Sequence, residues 1–163
     1  MIREEKKLDN KKILLLEENV LGPGRYARPS FRLRDGLIPN IKYSKVYYKG
    51  NKIIGSIRYF NCKIKDQSGL MLGPLIVDQI YKGRGIGREL MNKSISDINS
   101  KNINFIILIG ELNYYGQFGF EINNNIYFAI NVRKEKILFK KLLEKLDKIA
   151  QCGVCDLSIC KIS

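Results

Sequence analysis

The apolar positions of the chain change their spacing several times, and each change falls at a cluster of glycine, proline or asparagine. Ile13, Leu16 and Val20 recur at helical intervals, Asp9 or Asn10 can cap the helix they predict, and Gly22-Pro23-Gly24 ends it. Pro29 suits the first turn of a short second helix that ends near Gly36. Residues 43–49 and 52–64 are rich in β-branched and aromatic types, and Gly50-Asn51 between them is a hairpin signal, so they read as two antiparallel strands. Asp66-Gln67-Ser68-Gly69 then turns the chain into a strand over residues 70–77.

The second half begins on a different period. From Gly85 onward Ile86, Leu90, Ser94, Ile95 and Ile98 keep one helical face until about Asn99. Phe105-Ile106-Ile107-Leu108-Ile109 is continuously apolar, as a strand buried on both faces should be, and the helix joining it to residues 70–77 predicts a parallel pair. A short helix is expected over residues 113–117. After Asn123-Asn124-Asn125 the alternation of Ile126, Phe128, Ile130 and Val132 predicts a strand over residues 126–132 with one buried face. Leu138, Leu142, Leu146 and Ile149 predict a closing amphipathic helix, packed on the sheet or against another subunit, as in a homodimer. The class is α/β, with a mixed sheet and flanking helices.

Length and charge narrow this little. The 163 residues suit one domain, and the formal charge of +13 favours an anionic partner. Twenty of the 29 cations are lysines spread along the chain without interleaved aromatics, which argues against a nucleic-acid reader. Four of the nine arginines, Arg25, Arg28, Arg32 and Arg34, fall within ten residues and read as an acceptor-facing anion site or as a solvated helix face. No apolar run approaches a membrane span, and a cytoplasmic protein is expected. Cys62, Cys152, Cys155 and Cys160 are too sparse for a disulfide scaffold. With no histidine in the chain and no second Cys-x-x-Cys, reduced thiols are expected rather than a metal site.

The chemistry gathers at Lys82-Gly83-Arg84-Gly85-Ile86-Gly87-Arg88. A helix start carries unpaired N–H groups and partial positive charge, and here three more cations stand where cations are unfavourable unless an anion is bound. Glycines at 83, 85 and 87 let a phosphate reach the backbone; the plainer alternative is a tight turn with solvated cations. The spacing is G-x-G-x-G with no Gly-Lys-Ser/Thr, which disfavours a dinucleotide or P-loop site.

Gly73-Pro74-Leu75-Ile76-Val77-Asp78, followed by Tyr81-Lys82-Gly83-Arg84-Gly85-Ile86-Gly87, resembles the acetyl-CoA signature of the GNAT N-acetyltransferase superfamily, Arg/Gln-x-x-Gly-x-Gly/Ala, with Lys82 in the Arg/Gln position. Downstream, Tyr114-Tyr115-Gly116-Gln117-Phe118-Gly119-Phe120 resembles a second family segment, and the bacterial branch in particular. The resemblance covers roughly residues 1–132, leaving 133–163 as a helix and cysteine-containing tail packed on the same domain. It implies a twisted mixed sheet whose two parallel strands splay around acetyl-CoA as co-substrate. Backbone groups of Leu75, Ile76 and Val77 would hold the pantetheine, and Lys82, Gly83, Arg84, Gly85, Ile86, Gly87 and Arg88 the pyrophosphate. It also implies Tyr115 as general acid. Tyr114 is the competing candidate, and Tyr115 as a ring that merely packs on the cofactor is the plainer one. The family often places a carboxylate base on the strand that here spans residues 70–77. None lies there, so Glu111 or a water relay is the candidate. The implied activity is N-acetylation of a primary amine on a small molecule or protein, possession of an anionic group being an option for the acceptor. The alternative is a non-catalytic acetyl-CoA or acyl-CoA binding domain.

Overall fold

The computed structural model describes residues 1–98, 102–142 and 153–157. Its first helix, α1 (Asn10–Leu21), buries Ile13 and Leu16 with Val20 packed beside them, as their spacing predicts. Asp9 precedes it but does not cap it. Its carboxylate instead takes a fork of bonds from Arg3 at 2.6 and 2.9 Å and the Lys6 N–H at 2.8 Å. Gly22, at φ 65°, ends the helix, and a 3-10 turn at Pro23–Ala27 leads into α2 (Pro29–Arg34).

The sheet grows from a strand too short and charged to show in the sequence, β1 (Ile2–Glu4), which pairs antiparallel with β2 (Lys45–Lys49). β3 (Lys52–Ile64) follows across the Gly50-Asn51 turn. β4 (Gln67–Val77) starts three residues before the expected Leu70, because the reversal is made at Lys65 and Asp66, with Lys65 at φ 52°. After α3 (Ile86–Asp97) comes β5 (Phe105–Ile109), parallel to β4 as expected. The order runs β1-β2-β3-β4-β5-β8-β6, where β6 is Glu121–Ile122 and β8 is Ile137–Lys141.

Two expectations fail in the last third. The strand over 126–132 shrinks to β7 (Ile126–Tyr127); Phe128 is still buried, but the ladder ends before it. The helix expected from Leu138 is, over its first turn, the strand β8. Leu138 and Leu142 share helical spacing by coincidence, whereas Ile137-Leu138-Phe139 is an apolar run inserted between β5 and β6. Leu146, Ile149, Cys152 and Cys160 lie outside the described residues. β9 (Gly153–Asp156) pairs with β3 where β2 has ended and places Cys155 in the core that also holds Cys62.

Two apolar layers clasp the sheet. Alternation along β5 sends Ile106 and Leu108 to the face covered by α3, with Leu90 and Met91, and Phe105 and Ile107 to the opposite face. α1 packs on that opposite face over Ile76, Val46 and Ile53. Among the described residues no helix is long and apolar enough to cross a membrane, and no cluster of three His, Cys, Asp or Glu could hold a metal ion.

Candidate functional site

β4 and β5 pair only at Gly69–Met71 with Phe105–Ile107 and then part. The parting has a local cause: Ile57 pairs with Leu75 but Tyr59 with Leu72, so β4 carries one extra residue at Gly73-Pro74, and such a bulge bends its strand. Beyond it β4 follows β3 to Val77, while β5 follows β8 to Ile109. A gap opens between them. The Asp78 N–H donates to the Ile54 carbonyl at 2.8 Å, so antiparallel alternation turns the peptide groups of Ile76 toward Ser56 and those of Leu75 and Val77 into the gap. On the far side the Gly110 N–H donates to the Lys136 carbonyl at 2.9 Å, which leaves Ile109 facing the gap by the same rule. Of the three expected backbone contributors, Leu75 and Val77 thus turn their peptide groups into the gap. Ile76 borders the groove, but its peptide groups belong to β3 and its side chain to the core beneath α1.

The turn after β4 is shaped by Asp78, whose carboxylate accepts from the Ile80 N–H at 3.1 Å and pairs with Lys52 at 2.7 Å. Gly83 and Gly85 then take φ values of 77° and 80°, and a Cβ built on either meets nothing within 4 Å. The backbone there is bare and open. α3 begins at Ile86 with no side-chain cap, so its first N–H groups face the same space. Lys82, Arg84 and Arg88 are exposed, and among the described residues none of them forms an ion pair; Arg84 rests 5.4 Å from the centroid of the Tyr81 ring. An anionic pyrophosphate fits this cradle in charge and in clearance.

α4 (Leu112–Tyr115) follows β5 and brings two phenols to the groove. Their rings meet edge to face at 4.9 Å, and the Tyr114 hydroxyl lies 2.8 Å from where a Cβ on Gly87 would stand. Gly87 is therefore needed as much for Tyr114 as for a phosphate. The Tyr115 ring passes 2.5 Å from the equivalent point on Gly110 and packs edge-on against Phe120 at 6.1 Å. Burial pushes both phenols above the ordinary tyrosine range, with neighbouring Tyr114 adding to the effect on Tyr115, and Arg88 drawing Tyr114 back. Both stay protonated at neutral pH.

The whole is a groove of about 670 Å³, walled on one side by Leu75–Val77, the glycine turn and the start of α3, and on the other by Val20, Leu21 and Arg28. Glu111 is not part of it. That carboxylate is exposed and salt-bridged to Lys136, so the residue expected as base is turned away, and among the described residues no carboxylate lines the groove. The arginine cluster divides. Arg25 is buried against Glu18, the Gly22 carbonyl and Tyr26, and Arg34 is buried in a 3.2 Å pair with Glu17; Arg32 is exposed, and Arg28 looks into the groove. Val20, Leu21, Gln79 and Tyr81, which the sequence pattern does not mark as groove residues, complete its wall. Two apolar residues immediately before a helix-ending glycine were the available signal.

Comparison with known proteins gives a consistent picture. A family model described as an acetyltransferase (GNAT) domain matches residues 42–122. The uncharacterized N-acetyltransferase YhbS of Escherichia coli (strain K12) is 26% identical over 73 residues, 44% of this chain and 44% of that protein, so the match spans less than half the curated relative's length. The crystal structure of Escherichia coli YhbS in complex with CoA superposes with a TM-score of 0.76 at 20% identity, covering 96% of this chain and 88% of that one. A GNAT family acetyltransferase from Brucella melitensis in complex with acetyl-CoA gives 0.71 at 20% identity, over 96% and 94%. Arabidopsis thaliana Naa50, in complex with a bisubstrate analogue, gives 0.60 at 23%, over 87% and 98%. At these identities the structural likeness is one of fold.

Proposed function

We propose that the chain, whose residues 42–122 match the GNAT acetyltransferase domain, is an acetyl-CoA-dependent N-acetyltransferase acting on a primary amine. The observation that carries the reading is the junction of the β4–β5 gap with the uncapped α3 start. It offers backbone groups for an extended amide-bearing arm and, next to them, N–H groups and cations for its pyrophosphate. Acetyl-CoA is the co-substrate in this reading. Leu75 and Val77 hold the pantetheine, while Gly83, Gly85, Ile86 and Gly87 supply backbone, and Lys82, Arg84 and Arg88 charge, for the phosphates.

In the transfer, the amine lone pair forms a C–N bond to the thioester carbonyl carbon and the C–S bond breaks with its electron pair on sulfur. A backbone N–H of β4 turned into the gap can receive the carbonyl oxygen as it gains charge, an effect worth several kcal/mol for well-placed donors. Tyr115 gives its proton to the departing sulfur and recovers one from solvent. Its burial makes it a weaker acid than free tyrosine, but a thiolate released into the same groove is desolvated too and holds a proton more tightly, so the match is kept. With no carboxylate lining the groove among the described residues, the amine's proton leaves through water. A cytoplasmic setting belongs to the same reading.

The absent carboxylate also favours a second reading, a domain that binds acetyl-CoA or another acyl-CoA without turnover. A screen of amines and peptides for CoA release, beside calorimetry with acetyl-CoA, separates the two. Release with any acceptor supports transfer; binding without release across the screen moves the second reading ahead.

A further inference from the structure

We propose that the acceptor is an amine bearing a carboxylate a few bonds from its nitrogen, and that Arg28 receives that carboxylate. The proposal rests on the acetyl-transfer reading of the groove. It begins with where α2 lies. Leu33 and Leu37 pack into the core built by Met71, Phe105 and Ile107, the residues at the point where β4 and β5 part, and the Arg34 guanidinium comes within 4.0 Å of the Cβ position of Gly73 in the bulge. α2 therefore covers the apex of the gap, the end farther from the glycine turn, where a thioester would sit. Arg28, the residue that opens α2, lines the groove together with Leu75, Ile76 and Tyr115.

The segment around Arg28 is held rigid by its neighbours. Arg25 donates to the Gly22 carbonyl and the Tyr26 hydroxyl at 2.9 and 2.8 Å and stacks 4.4 Å from the Tyr26 ring, while Tyr26 meets Phe31 edge-on at 5.1 Å. Arg34 is fixed by Glu17 and the Ser30 carbonyl. Arg28 is exposed, and its side chain makes no hydrogen bond or ion pair among the described residues. The guanidinium is left uncommitted to a partner among the described residues, and its planar fork matches a carboxylate better than a lysine would.

Charge makes the same selection. The groove wall carries Arg28, Lys82 and Arg88 and, among the described residues, no carboxylate; with Lys82 and Arg88 given to the phosphates, Arg28 is the cation left to an acceptor. A bare ammonium would gain nothing from Arg28 on entering. An amine that brings its own carboxylate meets Arg28 first and arrives with its charge offset.

The test uses the full chain, acetyl-CoA, and a graded series of ω-amino acids with their primary amides, which differ in the anion while the amines stay comparable. Acids should be preferred at least tenfold in kcat/KM, and Arg28→Gln should erase the preference through a rise in KM for the acids, with acetyl-CoA affinity by calorimetry unchanged. Arg28→Lys should restore part of it. Equal turnover of acids and amides overturns the proposal, as does a loss of acetyl-CoA affinity in Arg28→Gln, which would make Arg28 a cofactor contact. Aminoalkyl phosphates turned over ahead of the acids would overturn the carboxylate in favour of a phosphate. If acetyl-CoA binds and no acceptor releases CoA, the transfer reading has failed. The acids and amides are then titrated into the acetyl-CoA-loaded protein: Arg28-dependent binding of acids upholds the ligand class, and its absence overturns that as well.

Discussion

Arg25, Arg28, Arg32 and Arg34 crowd the α1–α2 side of the groove, and Lys82, Arg84 and Arg88 crowd the β4–α3 side at similar density. Their surroundings are opposite. On the first side Arg25 and Arg34 are buried and tied to Glu18 and Glu17, so half of the charge is cancelled within the protein. On the second, all three cations are exposed without an ion pair among the described residues, beside Gly83 and Gly85, whose flanks are empty. One cluster builds a wall and the other waits for a ligand. The difference lies in the intervening residues: aromatic and apolar side chains between the arginines give guanidinium stems something to pack on, whereas Gly83 and Gly85 offer none and Arg84 alone of the second set rests on a ring, that of Tyr81.

The comparison breaks most visibly if the buried member proves dispensable. Arg34→Ala leaves Glu17 as an uncompensated carboxylate beneath α1, and removing one partner of a buried pair costs about 3–5 kcal/mol. Denaturant unfolding should report that loss. Arg84→Ala on the other side should stay within about 0.5 kcal/mol of wild type in stability and lower acetyl-CoA affinity instead. A stable Arg34→Ala or an unstable Arg84→Ala would undo the contrast.

Next in size is the turn itself. Gly85 is in the left-handed region at φ 80°, where a β-branched residue is strained, and the added side chain would also fill the open flank. Gly85→Val should weaken acetyl-CoA binding by about 100-fold, equivalent to about 2.7 kcal/mol, while the far-UV spectrum and a cooperative melt are kept. Unchanged affinity by calorimetry would mean that the cradle is only a turn.

Tyr115 extends the contrast to chemistry. Tyr115→Phe keeps the ring that packs on Phe120 and removes the proton, so kcat should fall at least tenfold, within the 10²–10⁴ that general acids commonly contribute, and acetyl-CoA affinity should hold. Tyr114→Phe should do much less. A general acid acts in its protonated form and fails as pH rises through its pKa. Burial has raised that of Tyr115, so the rate should climb as the amine loses its proton and show no fall below about pH 10. A descending limb near pH 8, absent in Tyr115→Phe, would count against this.

How much of this was legible follows the same physics. The α1 stripe, the hairpin at Gly50-Asn51, the parallel β4–β5 pair and the glycine-led α3 came from local periodicity, and the structure has them where they were expected. β8 did not, because Leu138 and Leu142 satisfy a helical period while the groups that claim Ile137–Lys141 are the distant edges of β5 and β6. In the groove, Gly83 and Gly85 were readable since their need for positive φ is local. Which peptide groups of residues 75–77 face the gap was not, for it depends on the register with β3, set in turn by the bulge at Gly73-Pro74. The placement of Glu111 was hidden for the same reason. Its partner Lys136 lies 25 residues on and is brought near only by the β5–β8 ladder.

Glu111 therefore gives the smallest expected effect and the sharpest control. It stands directly after the strand that borders the gap, one residue past Gly110, so proximity in sequence alone would make it the base that deprotonates the amine. Its carboxylate is exposed and engaged by Lys136, outside the groove that Tyr115 lines. An exposed ion pair contributes about 0–1 kcal/mol, so Glu111→Gln should melt nearly where the wild type does. Loss of a base would lower kcat and shift the acidic limb of the pH–rate profile, because the amine would have to lose its proton unaided. Loss of a surface pair would leave both where they were. With an identified acceptor, Glu111→Gln should keep kcat within about twofold and the limb in place, while Tyr115→Phe in the same assay drops by the larger factor. A tenfold fall in Glu111→Gln with a displaced limb would show that the loop between β5 and α4 rearranges when substrates bind, bringing the carboxylate into a groove whose walls otherwise hold none.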